Sequence, residues 1–94
     1  MNKLDISDIL DYDLLIIKWT PNDNATEKSP WSTSFIDIKS SFQFGLTYQF
    51  TKIYGEGATW QSLAIRIYSN YVNYWSIANE RPKLNIKWII AVKY

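Results

Sequence analysis

The chain contains neither cysteine nor histidine. The first absence removes disulfides, thiolate metal ligands, iron–sulfur clusters and Cys nucleophiles together, so the fold must hold by packing. The second removes the side chain that most often serves as general base or zinc ligand near neutral pH. A non-catalytic protein without metal or cofactor is therefore expected. Glycine is scarce, and Gly45, Gly55 and Gly57 form neither nucleotide-binding fingerprint. No apolar run approaches the ~18–20 residues of a membrane span, because Leu14-Leu15-Ile16-Ile17 is bounded by Asp13 and Lys18. Membrane insertion is not expected. The start, Met1 to Asp8, has one Lys followed by acids and no hydrophobic region, so it does not read as a signal peptide. Ten Lys+Arg against nine Asp+Glu leave a net charge of +1. That is far from the basic field that phosphate backbones select, and nucleic acid is not the expected partner.

What the chain does have is aromatic rings: five Trp, seven Tyr and four Phe, 17% of its 94 residues. The length fits one domain, residues 1–94. A chain this short buries only about 60–65% of its unfolded surface, and association of copies is one way to cover more apolar area.

Strand signals outnumber helix signals. From Leu84 to Tyr94, the residues Leu84, Ile86, Trp88, Ile90, Val92 and Tyr94 alternate with Asn85, Lys87, Ile89, Ala91 and Lys93, predicting a strand with the first set buried. Phe42, Phe44, Leu46, Tyr48 and Phe50 alternate with Gln43, Gly45, Thr47 and Gln49 in the same way. Leu63, Ile65 and Ile67 should point inward with Ser62, Ala64 and Arg66 outward, and Ile36 and Ile38 mark a shorter strand starting near Ser32 or Thr33. Tyr12 to Trp19 is apolar at both parities, as in a strand covered on two faces, and a neighbouring subunit could supply the second cover. Leu15, Ile17, Trp19 and Ile89 are accordingly candidate oligomer-interface residues. Periodicity leaves a helix over Ile6 to Ile17 open; the favoured reading is a helical turn at about Ser7–Asp11 followed by the strand.

Turn residues at Pro21-Asn22-Asp23-Asn24, Lys28-Ser29-Pro30, Lys39-Ser40-Ser41, Gly55-Glu56-Gly57 and Asn79-Glu80-Arg81-Pro82 separate these strands. The spacing predicts an all-β fold, a small antiparallel β-sandwich or a jelly-roll-like barrel.

Aromatic rings beside amide side chains suit sugars, because a pyranose C–H face stacks on a ring while Asn or Gln takes its hydroxyls. The segment Ser69 to Ser76 has that composition, with Tyr71, Asn73 and Trp75 on one face and Asn70, Val72 and Tyr74 on the other. Trp60 follows a Gly turn and Trp31 follows Pro30, so both could line a rim. The carbohydrate-binding candidates are Trp31, Trp60, Asn70, Tyr71, Asn73, Tyr74, Trp75 and Asn79. The competing reading puts these rings in the core or between subunits. Trp19 and Trp88, in strongly apolar strands, read as core or interface, and Arg66 reads first as a solvated charge. A glycosidase would need two carboxylates about 5–9.5 Å apart. Of Asp23, Asp37, Glu56 and Glu80, all but Asp37 fall in predicted turns, where acids serve the turn or the solvent.

Leu10-Asp11-Tyr12-Asp13-Leu14-Leu15-Ile16-Ile17 and Asn85-Ile86-Lys87-Trp88-Ile89-Ile90-Ala91-Val92-Lys93-Tyr94 resemble the first and last strands of C-terminal receptor-binding head domains of bacteriophage tail-fibre and baseplate proteins. The resemblance extends over nearly the whole chain as an order of elements. It implies a homotrimeric β-sandwich at the tip of a virion tail, made in the host cytoplasm and recognising a cell-surface polysaccharide or teichoic acid. Such heads usually follow a stem, and this chain starts directly with the head. Two other functions fit the residues: a structural module that joins subunits, and a barrel that stacks single-stranded nucleic acid on the same rings.

Overall fold

The computed structural model describes residues 1–21, 25–41, 46–54, 59–78 and 84–94. Within them lie seven strands: β1 (Asn2–Asp5), β2 (Leu14–Thr20), β3 (Ser32–Asp37), β4 (Thr47–Tyr54), β5 (Thr59–Ile67), β6 (Tyr71–Ala78) and β7 (Asn85–Val92). They form two antiparallel sheets, one ordered β1-β6-β5-β4 and the other β3-β2-β7. The molecule is thus all-β, a two-sheet sandwich, and among the described residues helix is confined to single turns at Ile9–Asp11 and Ile38–Ser41. The second of these turns lies where Lys39-Ser40-Ser41 reads as a tight connection. β1 carries no apolar alternation, since all four of its residues are exposed, and it pairs with β6 at the edge of its sheet.

One core lies between the sheets. Leu15, Ile17 and Trp19 of β2, Ile36 of β3 and Ile89 of β7 pack against Leu63, Ile65 and Ile67 of β5 and Val72 of β6. Each such side chain taken fully from water contributes about 1.5–3 kcal/mol. The Trp19 indole N–H is satisfied within the core by donating to Ser34 Oγ at 2.9 Å. Lys52 ties the sheets at one end, its ammonium donating to Pro30 O and Ser32 Oγ, both at 2.9 Å.

This arrangement corrects the expected interface. Leu15, Ile17, Trp19 and Ile89 are core residues, at most 8% exposed within a single copy, because the opposite sheet already covers them. The other parity of β2 faces out, where Ile16 lies between Phe35 and Ile90. Phe35 is 58% and Ile90 44% exposed.

The expected parity of β7 holds only at its start. The register against β2 shifts between Lys18 and Trp19, so Trp19 pairs with Ile86 but Lys18 pairs with Trp88. An extra residue, Lys87, is accommodated, and a one-residue slip sends every following side chain to the opposite face. Ile86 therefore faces in with Trp19, and then Ile89 and Ala91 do so opposite Ile17 and Leu15, while Trp88, Ile90 and Val92 face out.

Candidate functional site

The outer face of the four-stranded sheet owes its shape to side-chain size along β5. Ser62 and Ala64 run down the middle, opposite Thr51 and Gln49 of β4 and Ile77 and Trp75 of β6. Small residues between larger ones make a trough, and both Ser62 and Ala64 reach zero exposure although they point away from the core. Trp60, paired with Ile53, stands at one end of it. Here a depression of about 330 Å³ is lined by Gln49, Thr51, Ile53, Trp60 and Ser62.

The polar groups of this depression are pre-set. Ser62 Oγ accepts from Gln49 Nε2 at 3.1 Å and shares a hydrogen bond with Thr51 Oγ1 at 2.7 Å. Gln49 and Thr51 are themselves exposed, so an amide and a hydroxyl are presented at the surface in fixed positions. Further along the trough, the Arg66 guanidinium lies over the Trp75 ring, 5.5 Å from its centroid, and donates to Thr47 Oγ1 from Nε at 3.2 Å and Nη2 at 2.9 Å. Asn73 pairs with Arg66 on one side and Lys3 on the other. At the far edge Lys3 forms an ion pair with Asp5 at 3.5 Å and sits 4.6 Å from the Tyr71 ring centroid, and Tyr71 stacks on Tyr68 with ring centroids 4.6 Å apart.

Of the carbohydrate candidates, Trp60, Asn73 and Trp75 share this face, with Tyr71 at its edge between Lys3 and Tyr68. Tyr74 does not belong to it: it is on the other parity of β6 and packs against the core. Asn70 serves the fold, since its Oδ1 accepts the N–H of Asp8, a residue in left-handed backbone conformation with φ 55°. Trp31 precedes β3 of the smaller sheet, where its indole donates to Thr26 O at 2.9 Å and Lys87 lies 5.5 Å from its ring centroid. Asn79 lies outside the described residues. Gln49, Thr51, Ile53 and Ser62 were not among the candidates. The polar parity of β4 and the small parity of β5 were the available signals, and pairing across strands is what turns them into one surface.

Asp13 and Glu27 are held below their ordinary range, and neither is on this face. Asp13 is lowered chiefly by the hydrogen bond that its Oδ2 accepts from the Tyr94 backbone N–H at 2.6 Å, with Lys39 and Lys93 adding to it. Glu27 is lowered by Lys87, which donates to it at 2.6 Å. Among the described residues, no three or more His, Cys, Asp or Glu side chains group to hold a metal ion, and no helix is long and apolar enough to cross a membrane. The trough offers flat apolar surface beside fixed hydrogen-bonding groups, an arrangement suited to binding a flat, hydroxyl-bearing molecule. Comparison of the chain with family models, curated proteins and solved structures gives no match.

Proposed function

We propose that the outer face of the four-stranded sheet is a carbohydrate-recognition surface and that the protein acts by binding, without catalysis. The observation that supports this reading is the co-location of Trp60 and the Gln49–Ser62–Thr51 hydrogen-bond group in one open depression, with Trp75 a single residue pair further along. A sugar ring laid on an indole places its hydroxyls beside that amide and those hydroxyls. In the setting that the tail-fibre resemblance implies, a virion tail tip, the ligand is a glycan of the host cell surface. Shallow sites of this kind bind weakly one at a time and gain strength when several copies engage together.

Association of copies is the second part of the proposal. The outer face of the smaller sheet carries Leu14, Ile16, Phe35, Ile90 and Val92 in adjacent positions, with Asp37 paired to Leu14 and Lys18 next after Ile16 on the same face of β2. The other copies of this chain cover it in the homotrimer that the resemblance implies. The glycan surface and the association surface lie on opposite sheets and can be altered independently. Glycan-array binding by the wild type and by Trp60→Ala and Trp75→Ala tests the recognition reading: lost binding with the fold and sedimentation unchanged supports it, and unchanged binding contradicts it. The purely structural alternative gains from the same apolar patch, and it predicts no glycan binding at all.

A further inference from the structure

Arg66 is the one charged side chain on the central strand of the trough. It is half-buried, and among the described residues no carboxylate forms an ion pair with it. A partly desolvated cation is ordinarily matched by an acid, and here the matching is incomplete: two N–H groups go to the Thr47 hydroxyl and the ring plane of Trp75 supports the guanidinium. These contacts fix the guanidinium in place without neutralising it. Its remaining N–H groups are left for an acceptor, and a planar fork of this kind suits a carboxylate or a phosphate. Lys3, on the same face, is already paired with Asp5.

Position matters as much as charge. Arg66 lies four residues along β5 from Ser62 and six from Trp60. At the rise of an extended strand these separations are about 13 Å and 20 Å. A ligand that touches both the depression and Arg66 must therefore be a chain of several units. We infer that the trough selects an acidic oligosaccharide, with neutral rings held between Trp60 and Trp75 and a carboxylate or phosphate of the same chain received by Arg66. This rests on the carbohydrate reading above and adds the charge of the ligand to it. Single-stranded nucleic acid shares rings and anions, but it carries a phosphate on every nucleotide and selects a groove lined with cations along its length. Among the described residues this face offers one cation free of an acid.

Calorimetric titration of the whole chain with four probes tests the inference: a neutral gluco-oligosaccharide, an oligogalacturonate, a phosphodiester-linked oligosaccharide and a thymidine oligonucleotide. The expected result is that one of the two acidic saccharides binds at least tenfold more tightly than the neutral one, and which of them does so identifies the anion. Arg66→Gln should weaken the acidic saccharide at least tenfold and the neutral one less than threefold, and should flatten the salt dependence of acidic binding. Thr47→Val, which keeps the charge but releases its orientation, should weaken acidic binding in the same direction and serves if Arg66→Gln does not fold. Equal affinity for neutral and acidic saccharides, with both lost in Trp75→Ala, overturns the acidic preference while leaving the carbohydrate reading intact. Binding of no saccharide overturns both, as does an oligonucleotide that binds more tightly than any saccharide.

Discussion

Ala64 and Trp75 are direct cross-strand partners on the outer face of the four-stranded sheet, and Ala64 is completely buried there although the three-stranded sheet packs on the other face. Its cross-strand neighbours on that face are Trp75 on one side and Gln49 on the other, both far larger than a methyl group. The trough is therefore a product of residue size at alternate positions of β5, and its rings are placed by register.

Removing either ring should weaken saccharide binding without unfolding the protein. Trp75→Ala and Trp60→Ala are each expected to lower affinity about tenfold, the equivalent of roughly 1.4 kcal/mol of lost stacking. Affinity by calorimetry and folding by circular dichroism, measured on the same samples, check this. Tyr74→Phe, on the core side of β6, should leave binding within about twofold of the wild type.

The bulge in β7 makes neighbouring isoleucines unequal. Ile89 is in the core and Ile90 is not, so Ile89→Ala should cost about 2–5 kcal/mol and Ile90→Ala below about 1 kcal/mol. Urea unfolding of the two variants decides the parity, and the reverse order would show that the strand lacks the register shift between Lys18 and Trp19.

Much of this was legible from alternation alone. Leu63, Ile65 and Ile67 read as inward with Ser62, Ala64 and Arg66 outward, and the structure has them so. β7 was misread because a bulge leaves no mark in composition: Lys87 looks like any other outward residue, and the slip depends on how Asn85 to Trp88 meet β2. Likewise both parities of β2 are apolar, and only the position of the opposite sheet decides that Leu15 and Ile17 are inside and Leu14 and Ile16 outside. The site was half-visible for a related reason. Trp60, Asn73 and Trp75 announce themselves as rings and an amide, whereas Gln49, Thr51 and Ser62 are ordinary strand residues until pairing brings them together. Asn70 was misleading because a turn amide suits a sugar and a backbone N–H equally well, and the Asp8 N–H takes it.

Asp13 gives the fold an acid-sensitive contact. Its carboxylate accepts the Tyr94 N–H and faces Lys39 at 3.3 Å, and these hold its pKa below the unfolded value of about 3.9. A lowered folded-state pKa contributes stability above the unfolded pKa, and that stability is lost as pH falls through the folded one. Asp13→Asn should therefore be less stable than the wild type near neutral pH, and the gap should close as pH falls below about 4. Thermal melts across that range check it; a gap independent of pH would contradict the role of the charge.

Self-association should depend on the smaller sheet. Phe35→Glu and Ile90→Glu place a charge in the centre of its exposed apolar face, so sedimentation should report a shift to monomer in both, with thermal stability of the monomer little changed. An unaltered sedimentation profile in both variants would move the association surface elsewhere.

The most direct test of the central claim is a two-dimensional proton–nitrogen NMR titration of the whole protein with an oligosaccharide that it binds, following the indole N–H signals of its five tryptophans. The account predicts that the Trp60 and Trp75 signals move together and saturate, that the backbone signals of Gln49, Thr51 and Ser62 move with them, and that Trp19, sealed in the core, stays still. Saturating shifts confined to Phe35, Trp88 and Ile90 on the opposite sheet, with Trp60 and Trp75 unmoved, would contradict it.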